Sequence, residues 1–151
     1  MNLRDLELEV VDGAPDGHRF SARSVTGEVG AAKTGMGVYE LEPGQASWPY
    51  HFELGEEEWV VVVEGEIVLR TPEGTRVLRA GDVACCVVGP AGAHAIRNDG
   101  TATARYVMLS NLSTDADGAV YPDSGTFVVR TTGWRHRGRL GDEVPYWTDE
   151  P

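Results

Sequence analysis

The run EWVVVVEGEIVLR, residues 58–70, constrains the fold more than any other part of the sequence. It is rich in β-branched residues, which favour extended strands, and Gly65 in its middle predicts a bulge or a bend. Turn sequences such as residues 42–44, 71–74 and 98–100 recur along the chain, at intervals of roughly 8–12 residues. This spacing, with no long amphipathic helix pattern beside it, predicts an all-β barrel or sandwich.

The length and composition indicate one domain that covers residues 1–151. A chain of 151 residues has the usual size of a single domain, and 41% hydrophobic residues are enough for a real core. The 19 glycines and 8 prolines are spread without a short period, which indicates turns between many short segments.

The formal net charge of −11 argues against partners that are recognised through their negative charge. Because the chain has no basic stripe, we expect it to bind neither nucleic acid nor an anionic membrane surface. No apolar run has the length of a signal peptide or reaches the roughly 18 residues of a membrane span. Cys85 and Cys86 are adjacent and would point to opposite faces of a strand, so we expect no structural disulfide. These features predict a location in the reducing cytoplasm.

An imidazole and two carboxylates occur close together, at His51, Glu53 and Glu58. In an extended chain His51 and Glu53 point to the same face, and a following strand would begin at Glu58. Such side chains make a metal site when they converge inside a β-structure. A second stretch, residues 81–98, offers a fourth ligand in His94. We therefore predict a metal site of His51, Glu53, Glu58 and His94.

The chemistry of this ligand set predicts one divalent metal ion. Two imidazoles with two carboxylates suit Mn²⁺, Fe²⁺ or Zn²⁺. Four protein ligands on an octahedral ion leave two positions for water or a substrate. Glu53 has a second interpretation, in which it faces solvent at the mouth of a barrel and leaves three ligands or no metal.

Three further residues are near the site in sequence and are candidates for a substrate pocket, namely Trp48, Tyr50 and Arg97. Trp59 follows Glu58 directly and therefore points to the other face. We expect Trp59 to pack outside a barrel or at a dimer contact.

The segments outside this central region are less regular. In residues 2–12, Leu6, Leu8 and Val10 alternate with acidic residues, which predicts a strand at a sheet edge. Residues 134–139, WRHRGR, form a basic patch in an otherwise acidic chain. The aromatic residues Tyr146 and Trp147 are expected to anchor the tail against the body of the protein or against a second subunit.

The two stretches together resemble the conserved motifs of the cupins. The first cupin motif is matched by Gly44, a spacer, His51-Phe52-Glu53, four residues, Glu58, six residues and Gly65, with Glu53 in the place of the usual second histidine. The second motif is matched by Gly81-Asp82, Val87-Val88-Gly89, a four-residue spacer, His94, three residues and Asn98. The resemblance covers roughly residues 38–110.

The resemblance implies a cupin-type double-stranded β-helix, a jelly-roll barrel of antiparallel strands with its ligand site inside. The core barrel would span about residues 38–110, and the terminal extensions would pack on it or on a dimer partner. The four predicted metal ligands take the positions of the cupin ligands. A homodimer is the assembly that the resemblance implies.

Two functional hypotheses follow, because one fold supports many functions. In the first, the protein is a metal-dependent enzyme that acts on a small polar molecule, with dioxygenase, isomerase, epimerase or decarboxylase chemistry. In the second, it is a non-catalytic module of cupin fold that binds or senses a small molecule. The residues alone do not choose between them.

Overall fold

β-Strands form most of the regular structure of the chain. The computed structural model describes residues 1–112, 116–141, 143–145 and 148. Within these residues there is no α-helix, and no helical segment has the length and apolar composition needed to cross a membrane. The strands are β1 (Glu9–Val10), β2 (Phe20–Ser24), β3 (Thr34–Leu41), β4 (Phe52–Glu53), β5 (Glu58–Glu64), β6 (Glu66–Thr71), β7 (Gly74–Arg79), β8 (Val83–Cys86), β9 (Ala95–Arg97), β10 (Ala104–Asn111), β11 (Ala116–Tyr121), β12 (Thr126–Thr131) and β13 (Trp134–Arg139). The all-β prediction is confirmed.

The strands pair into antiparallel sheets whose order differs from their order in the chain. A six-stranded sheet has the order β1-β2-β3-β10-β5-β8, and a four-stranded sheet has the order β13-β12-β11-β4. A three-stranded sheet has the order β7-β6-β9. Neighbours such as β3 and β10 are far apart in sequence, as in a jelly roll.

Gly65 divides the long apolar run into two strands that belong to different sheets. Strand β5 ends before it and β6 begins after it, and the φ angle of Gly65 is 74°. A Cβ atom at this position would lie 2.9 Å from the carbonyl oxygen of Thr103 and 3.0 Å from Cα of Ala104. Glycine is therefore required both by the backbone conformation and by the close approach. The predicted bend is confirmed.

The core is built from the inward-facing residues of several strands. On β5, Val60 and Val62 are buried, whereas Trp59, directly before Val60, points outward and is 44% exposed. Tyr106 of β10 is fully buried and stacks on Tyr39 of β3. Burial of an apolar side chain such as that of Val60 or Val62 contributes roughly 1.5–3 kcal/mol to folding. This packing holds the strands that carry the candidate ligands.

The first twelve residues differ from the predicted edge strand. Only Glu9–Val10 pair with β2, and Val10 is 53% exposed. Leu6 and Leu8 do pack against the body, on a small cluster outside the main core. The guanidinium group of Arg105 explains the irregular backbone, because it donates hydrogen bonds to three carbonyl oxygens of this segment, those of Leu3, Arg4 and Leu6.

The C-terminal region completes the sheet that carries one of the candidate ligands. Strand β11 pairs with β12 on one side and with β4 on the other, where Ala119 lies opposite Glu53. The predicted anchoring role of Tyr146 and Trp147 concerns residues outside the described ones.

Candidate metal centre

His51 and His94 lie directly opposite each other. Their backbones form an isolated antiparallel bridge, in which each amide nitrogen donates to the other residue's carbonyl oxygen, at 3.0 and 2.8 Å. Directly paired residues present their side chains on the same face. The two imidazole rings are accordingly 4.7 Å apart, and both side chains are buried.

Backbone hydrogen bonds orient both rings in the same way. Nδ1 of His51 donates to the carbonyl oxygen of Pro49 at 2.7 Å, and Nδ1 of His94 donates to that of Gly92 at 3.0 Å. Each Nδ1 atom therefore carries its proton, which leaves Nε2 as the ligating nitrogen of the neutral ring. Hydrogen bonding of the second ring nitrogen is how proteins orient metal-binding histidines.

Glu58 brings a carboxylate to the two free ring nitrogens. It is the first residue of β5, and its Oε2 atom lies 3.3 Å from Nε2 of His94 and 3.8 Å from Nε2 of His51. The ligand atoms of these three residues lie within 4.8 Å of one another. Sequence analysis predicted all three as ligands, and the structure brings them together.

Unsatisfied polar atoms show that this group fits a cation. Oε2 of Glu58 and Nε2 of His94 are buried and lie 3.3 Å apart, yet neither atom forms a hydrogen bond. A buried polar atom without a partner costs roughly 1–3 kcal/mol. A divalent ion among His51, Glu58 and His94 would satisfy these atoms at once, with ligand types that suit Mn²⁺, Fe²⁺ or Zn²⁺.

Glu53 lies next to the group but is not one of its members. Its Oε1 atom is 3.4 Å from Nε2 of His51, and its Oε2 atom is buried without a hydrogen-bond partner. Strand β4 holds it, through the pairing of Glu53 with Ala119. Its assignment as a fourth ligand stays a prediction.

The surroundings of His94 favour a positive charge at this position. Burial on its own lowers the pKa of His94, but the neighbouring Cys86 thiol and Glu58 carboxylate outweigh it and raise the pKa to about 10. Cys86 faces inward on β8 and pairs with Glu58 across the sheet, whereas Cys85 faces outward, and both thiols are free. Sequence analysis considered Cys86 only as a residue that forms no structural disulfide with Cys85. Its register opposite Glu58 is what places it beside the site.

The comparison with known families agrees with this geometry. The sequence pattern of the Cupin domain family matches residues 37–110, the part that carries all four predicted ligands.

The chain belongs to the cupin superfamily.

Solved structures of other cupins have the same fold. A candidate sugar phosphate isomerase from Acidithiobacillus ferrooxidans is 26% identical, with a TM-score of 0.80 over 91% of this chain and 87% of that one. A sugar phosphate isomerase of the cupin superfamily from Silicibacter pomeroyi is 24% identical, with a TM-score of 0.80 over 92% and 91% of the two chains. A predicted oxalate decarboxylase from Thermotoga maritima is 20% identical, with a TM-score of 0.60 over 74% and 97%. No curated protein sequence gives a match.

The three predicted pocket residues lie together in this cupin, at a cavity that Tyr121 also lines. Trp48, Tyr50 and Arg97 all line this cavity of about 350 Å³. Arg97 is paired with Asp99, and Tyr50 lies under the guanidinium group of Arg70. Their role in substrate binding stays a prediction.

Trp48 also lines a second cavity, which reaches the metal centre. This cavity has a volume of about 390 Å³ and includes Glu58 in its wall. Tyr39 and Met108 form part of the same wall. Of the three predicted pocket residues, Trp48 is therefore the one that shares a cavity with a candidate ligand.

Tyr121 is a site residue that sequence analysis missed. Its ring stacks on His51, with ring centroids 5.6 Å apart and an interplanar angle of 25°. Burial raises the pKa of Tyr121, and the charge of Glu53 raises it further. Tyr121 ends strand β11, so it reaches the site only because β11 pairs with β4. Sequence analysis described the segments outside the central region only as less regular, and the sequence held no other signal for this contact.

Proposed function

We propose that this cupin is a metal-dependent isomerase that acts on a small hydroxy-carbonyl compound. The observation that carries the proposal is the position of Glu53. The half-buried carboxylate of Glu53, with one buried and unsatisfied oxygen, lies 3.4 Å from a candidate ligand and outside the three-residue group. The site thus has a place for a cation and, beside it, a separate group that can accept a proton.

The three-residue group would hold one divalent ion through Nε2 of His51, Nε2 of His94 and the carboxylate of Glu58. A bound divalent ion supplies Lewis-acid polarisation of a carbonyl or hydroxyl oxygen. The two histidines keep their ligating nitrogens aimed at one point because their Nδ1 protons are committed to backbone carbonyls.

Glu53 would move the proton. Its Oε2 atom accepts a proton from the carbon that bears the substrate's hydroxyl group and returns it to the former carbonyl carbon. The hydroxyl proton passes to the former carbonyl oxygen, so the reaction is balanced without an external oxidant or reductant. Tyr121 covers one face of His51 and restricts water on that side.

A relative supports this reaction class. The candidate sugar phosphate isomerase from Acidithiobacillus ferrooxidans is 26% identical over most of both chains. An isomerase needs no redox partner, and a carboxylate beside a Lewis acid is suited to proton transfer next to a carbonyl group.

Two measurements on the same variants test the proposal. The first is the content of Mn, Fe and Zn per chain in protein purified without chelator. The second is deuterium uptake from D₂O at carbon, followed by NMR, in a panel of aldoses, ketoses and their phosphate esters. The variants are His51→Ala and Glu53→Gln, with Glu73→Gln in an exposed turn as the matched control.

We expect about one metal ion per chain in the parent and almost none in His51→Ala. Glu53→Gln should keep the metal and lose deuterium uptake by about 100-fold or more. If Glu53→Gln loses the metal instead, Glu53 is the fourth ligand and not the base. If the parent holds metal yet exchanges no proton on any compound, the non-catalytic binding module is the better interpretation.

A further inference from the structure

The arginines of β13 stand out in an acidic chain. The protein has 13 basic residues against 24 acidic ones, and three of the basic residues occur within residues 135–139. Arg135 and Arg137 are two positions apart on a strand, so their side chains project from the same face.

The register of the four-stranded sheet places this face on the side of the metal centre. Arg137 lies opposite Val128, Val128 lies opposite Ala119, and Ala119 lies opposite Glu53. Residues that are directly opposite in antiparallel strands share a face. The row from Arg137 to Glu53 therefore crosses one face of the sheet, from its edge to the candidate base.

Tyr121 connects the arginines to the metal centre. The guanidinium carbon of Arg137 lies 5.4 Å from the centre of the Tyr121 ring, and the same ring stacks on His51 with ring centroids 5.6 Å apart. Arg135 and Arg137 line a cavity of about 410 Å³ together with Tyr121 and Trp48. The Tyr121 ring thus lines the arginine cavity and also contacts a candidate metal ligand.

These two arginines have no acidic partner within the described part of the chain. Arg130, on the neighbouring strand, is paired with both Asp117 and Glu56. Asp12 also lines the cavity, but no ion pair joins it to Arg135 or Arg137 among the residues that the structure describes. Two uncompensated guanidinium groups at one cavity are suited to bind an oxyanion through charge-assisted hydrogen bonds.

We propose that Arg135 and Arg137 bind the anionic end of the substrate, a phosphate or carboxylate group, while its hydroxy-carbonyl end lies at the metal centre. This inference rests on the proposed function for the identity of the second end. It narrows the proposed substrates from small hydroxy-carbonyl compounds in general to those that also carry an acidic group. It also assigns a role to the C-terminal strands, which lie outside the matched family region of residues 37–110.

Binding of compounds that cannot react tests the proposal without any activity assay. The probes are glucitol 6-phosphate, gluconate, inorganic phosphate and uncharged glucitol, none of which can isomerise through a carbonyl group. Their dissociation constants are measured by calorimetry on the metal-loaded parent and on the double variant Arg135→Gln/Arg137→Gln. The matched control is Arg76→Gln/Arg79→Gln, which removes the same charge at two exposed positions of β7 that do not line this cavity.

We expect the parent to bind glucitol 6-phosphate or gluconate more tightly than glucitol, and the tighter of the two identifies the anionic group. The Arg135→Gln/Arg137→Gln variant should lose about tenfold or more in affinity for that anion, with metal content and melting temperature unchanged. The control variant should keep the parent's affinity. The proposal is wrong if no anion binds more tightly than glucitol, or if both double variants lose the same affinity.

The proposed function can fail independently of this inference. If the parent contains no metal or shows no proton exchange while the arginine variant still loses anion affinity, the anion site stands and the isomerase proposal falls. If proton exchange depends on Glu53 but substitution of the two arginines does not change anion binding, the isomerase proposal stands and the anion site falls.

Discussion

His51 and His94 gain their chemical role from hydrogen bonds at the far side of each ring. Both Nδ1 protons point to backbone carbonyl oxygens only two residues earlier in the chain. Each imidazole is therefore held before any ligand arrives, and its Nε2 atom faces Glu58. Because such preorganisation is costly to replace, the loss of one ring should not be compensated by a neighbouring side chain.

Removal of one ring should abolish metal binding. We expect His94→Ala to weaken affinity for Mn²⁺ or Zn²⁺ by more than about 100-fold, since loss of outer hydrogen-bond partners alone costs 10–100-fold. This affinity is measured by titrating either metal into protein from which a chelator has removed the bound metal. His136→Ala is the control, because His136 lies on β13 against Phe127 and Trp134. Equal affinity in His94→Ala and the parent would rule out His94 as a ligand.

Metal binding should also depend on pH in a defined direction. The Cys86 thiol and the Glu58 carboxylate outweigh burial and raise the pKa of His94 to about 10, so the free protein carries a proton there at neutral pH. The ion must displace that proton, and the apparent affinity should rise by up to about tenfold per pH unit between pH 6.5 and 8.5. Calorimetry in buffers of different ionisation enthalpy would detect the released proton. Affinity that is constant over this range would contradict the prediction.

The raised pKa of His94 also makes the stability of the metal-free protein depend on pH. A raised pKa in the folded state stabilises the fold fully below the unfolded pKa of 6.5. That contribution is lost as the pH rises toward 10, and it should be absent from His94→Ala.

Gly65 lies at the bend between β5 and β6, which belong to different sheets. The relative position of the candidate ligands depends on this bend. Strand β5 starts with Glu58, and β6 pairs with β9, which follows His94 in the chain. A change in the bend would move the two sheets relative to each other, and with them the two halves of the ligand set.

Gly65→Ala should therefore destabilise the fold more than an ordinary glycine substitution. The positive φ angle and the contact of 2.9 Å with the Thr103 carbonyl oxygen both act against a Cβ atom. We expect the free energy of unfolding to fall by about 2–3 kcal/mol, measured by urea denaturation. Gly44→Ala is the control, because Gly44 also has a positive φ angle but open space around it. A loss no larger than that of Gly44→Ala would show that the close approach is relieved by small shifts.

Strand predictions succeeded where local pattern and packing agree. Alternation along the strand predicted that Trp59 points away from the face of Glu58, and the structure places Trp59 outside the core. The bend at Gly65 was predicted from the missing side chain. The N-terminal segment has a similar alternation, yet only Glu9–Val10 form a strand. There the guanidinium group of Arg105, about a hundred residues away in sequence, binds the carbonyl groups that a strand would need.

The whole molecule has an exposed apolar surface on the outer face of β5 and β8. Trp59 and Val83 are 44% and 51% exposed, and Val87 and Val88 are similarly exposed just after β8. Among the residues that the structure describes, β8 is also an edge of the six-stranded sheet, and no strand pairs with its outer side. Edge strands with apolar neighbours are commonly covered by another chain.

The homodimer predicted from the cupin resemblance would cover this surface. We expect sedimentation equilibrium of the parent to give twice the chain mass of 16.3 kDa. Trp59→Ser/Val83→Ser should shift that equilibrium toward the monomer, because it removes apolar area from the contact. Val77→Ser, on exposed strand β7, is the control for loss of an exposed valine. A monomeric parent, or a dimer that survives the double substitution unchanged, would contradict this placement.

Local patterns in the sequence determined the all-β class, the cupin family and the set of candidate ligands, because strand alternation and motif spacing are short-range properties. The distances among those ligands depended on long-range pairing. The position of Glu53 beside the group of Glu58 and the two histidines depends on the strand that holds it, and no spacing rule expresses that position. Tyr121 and the arginines of β13 reach the same region through strand pairs more than 60 residues apart, such as Ala119 with Glu53. Contacts of this kind arise from the folded sheet, so only the tertiary structure revealed them.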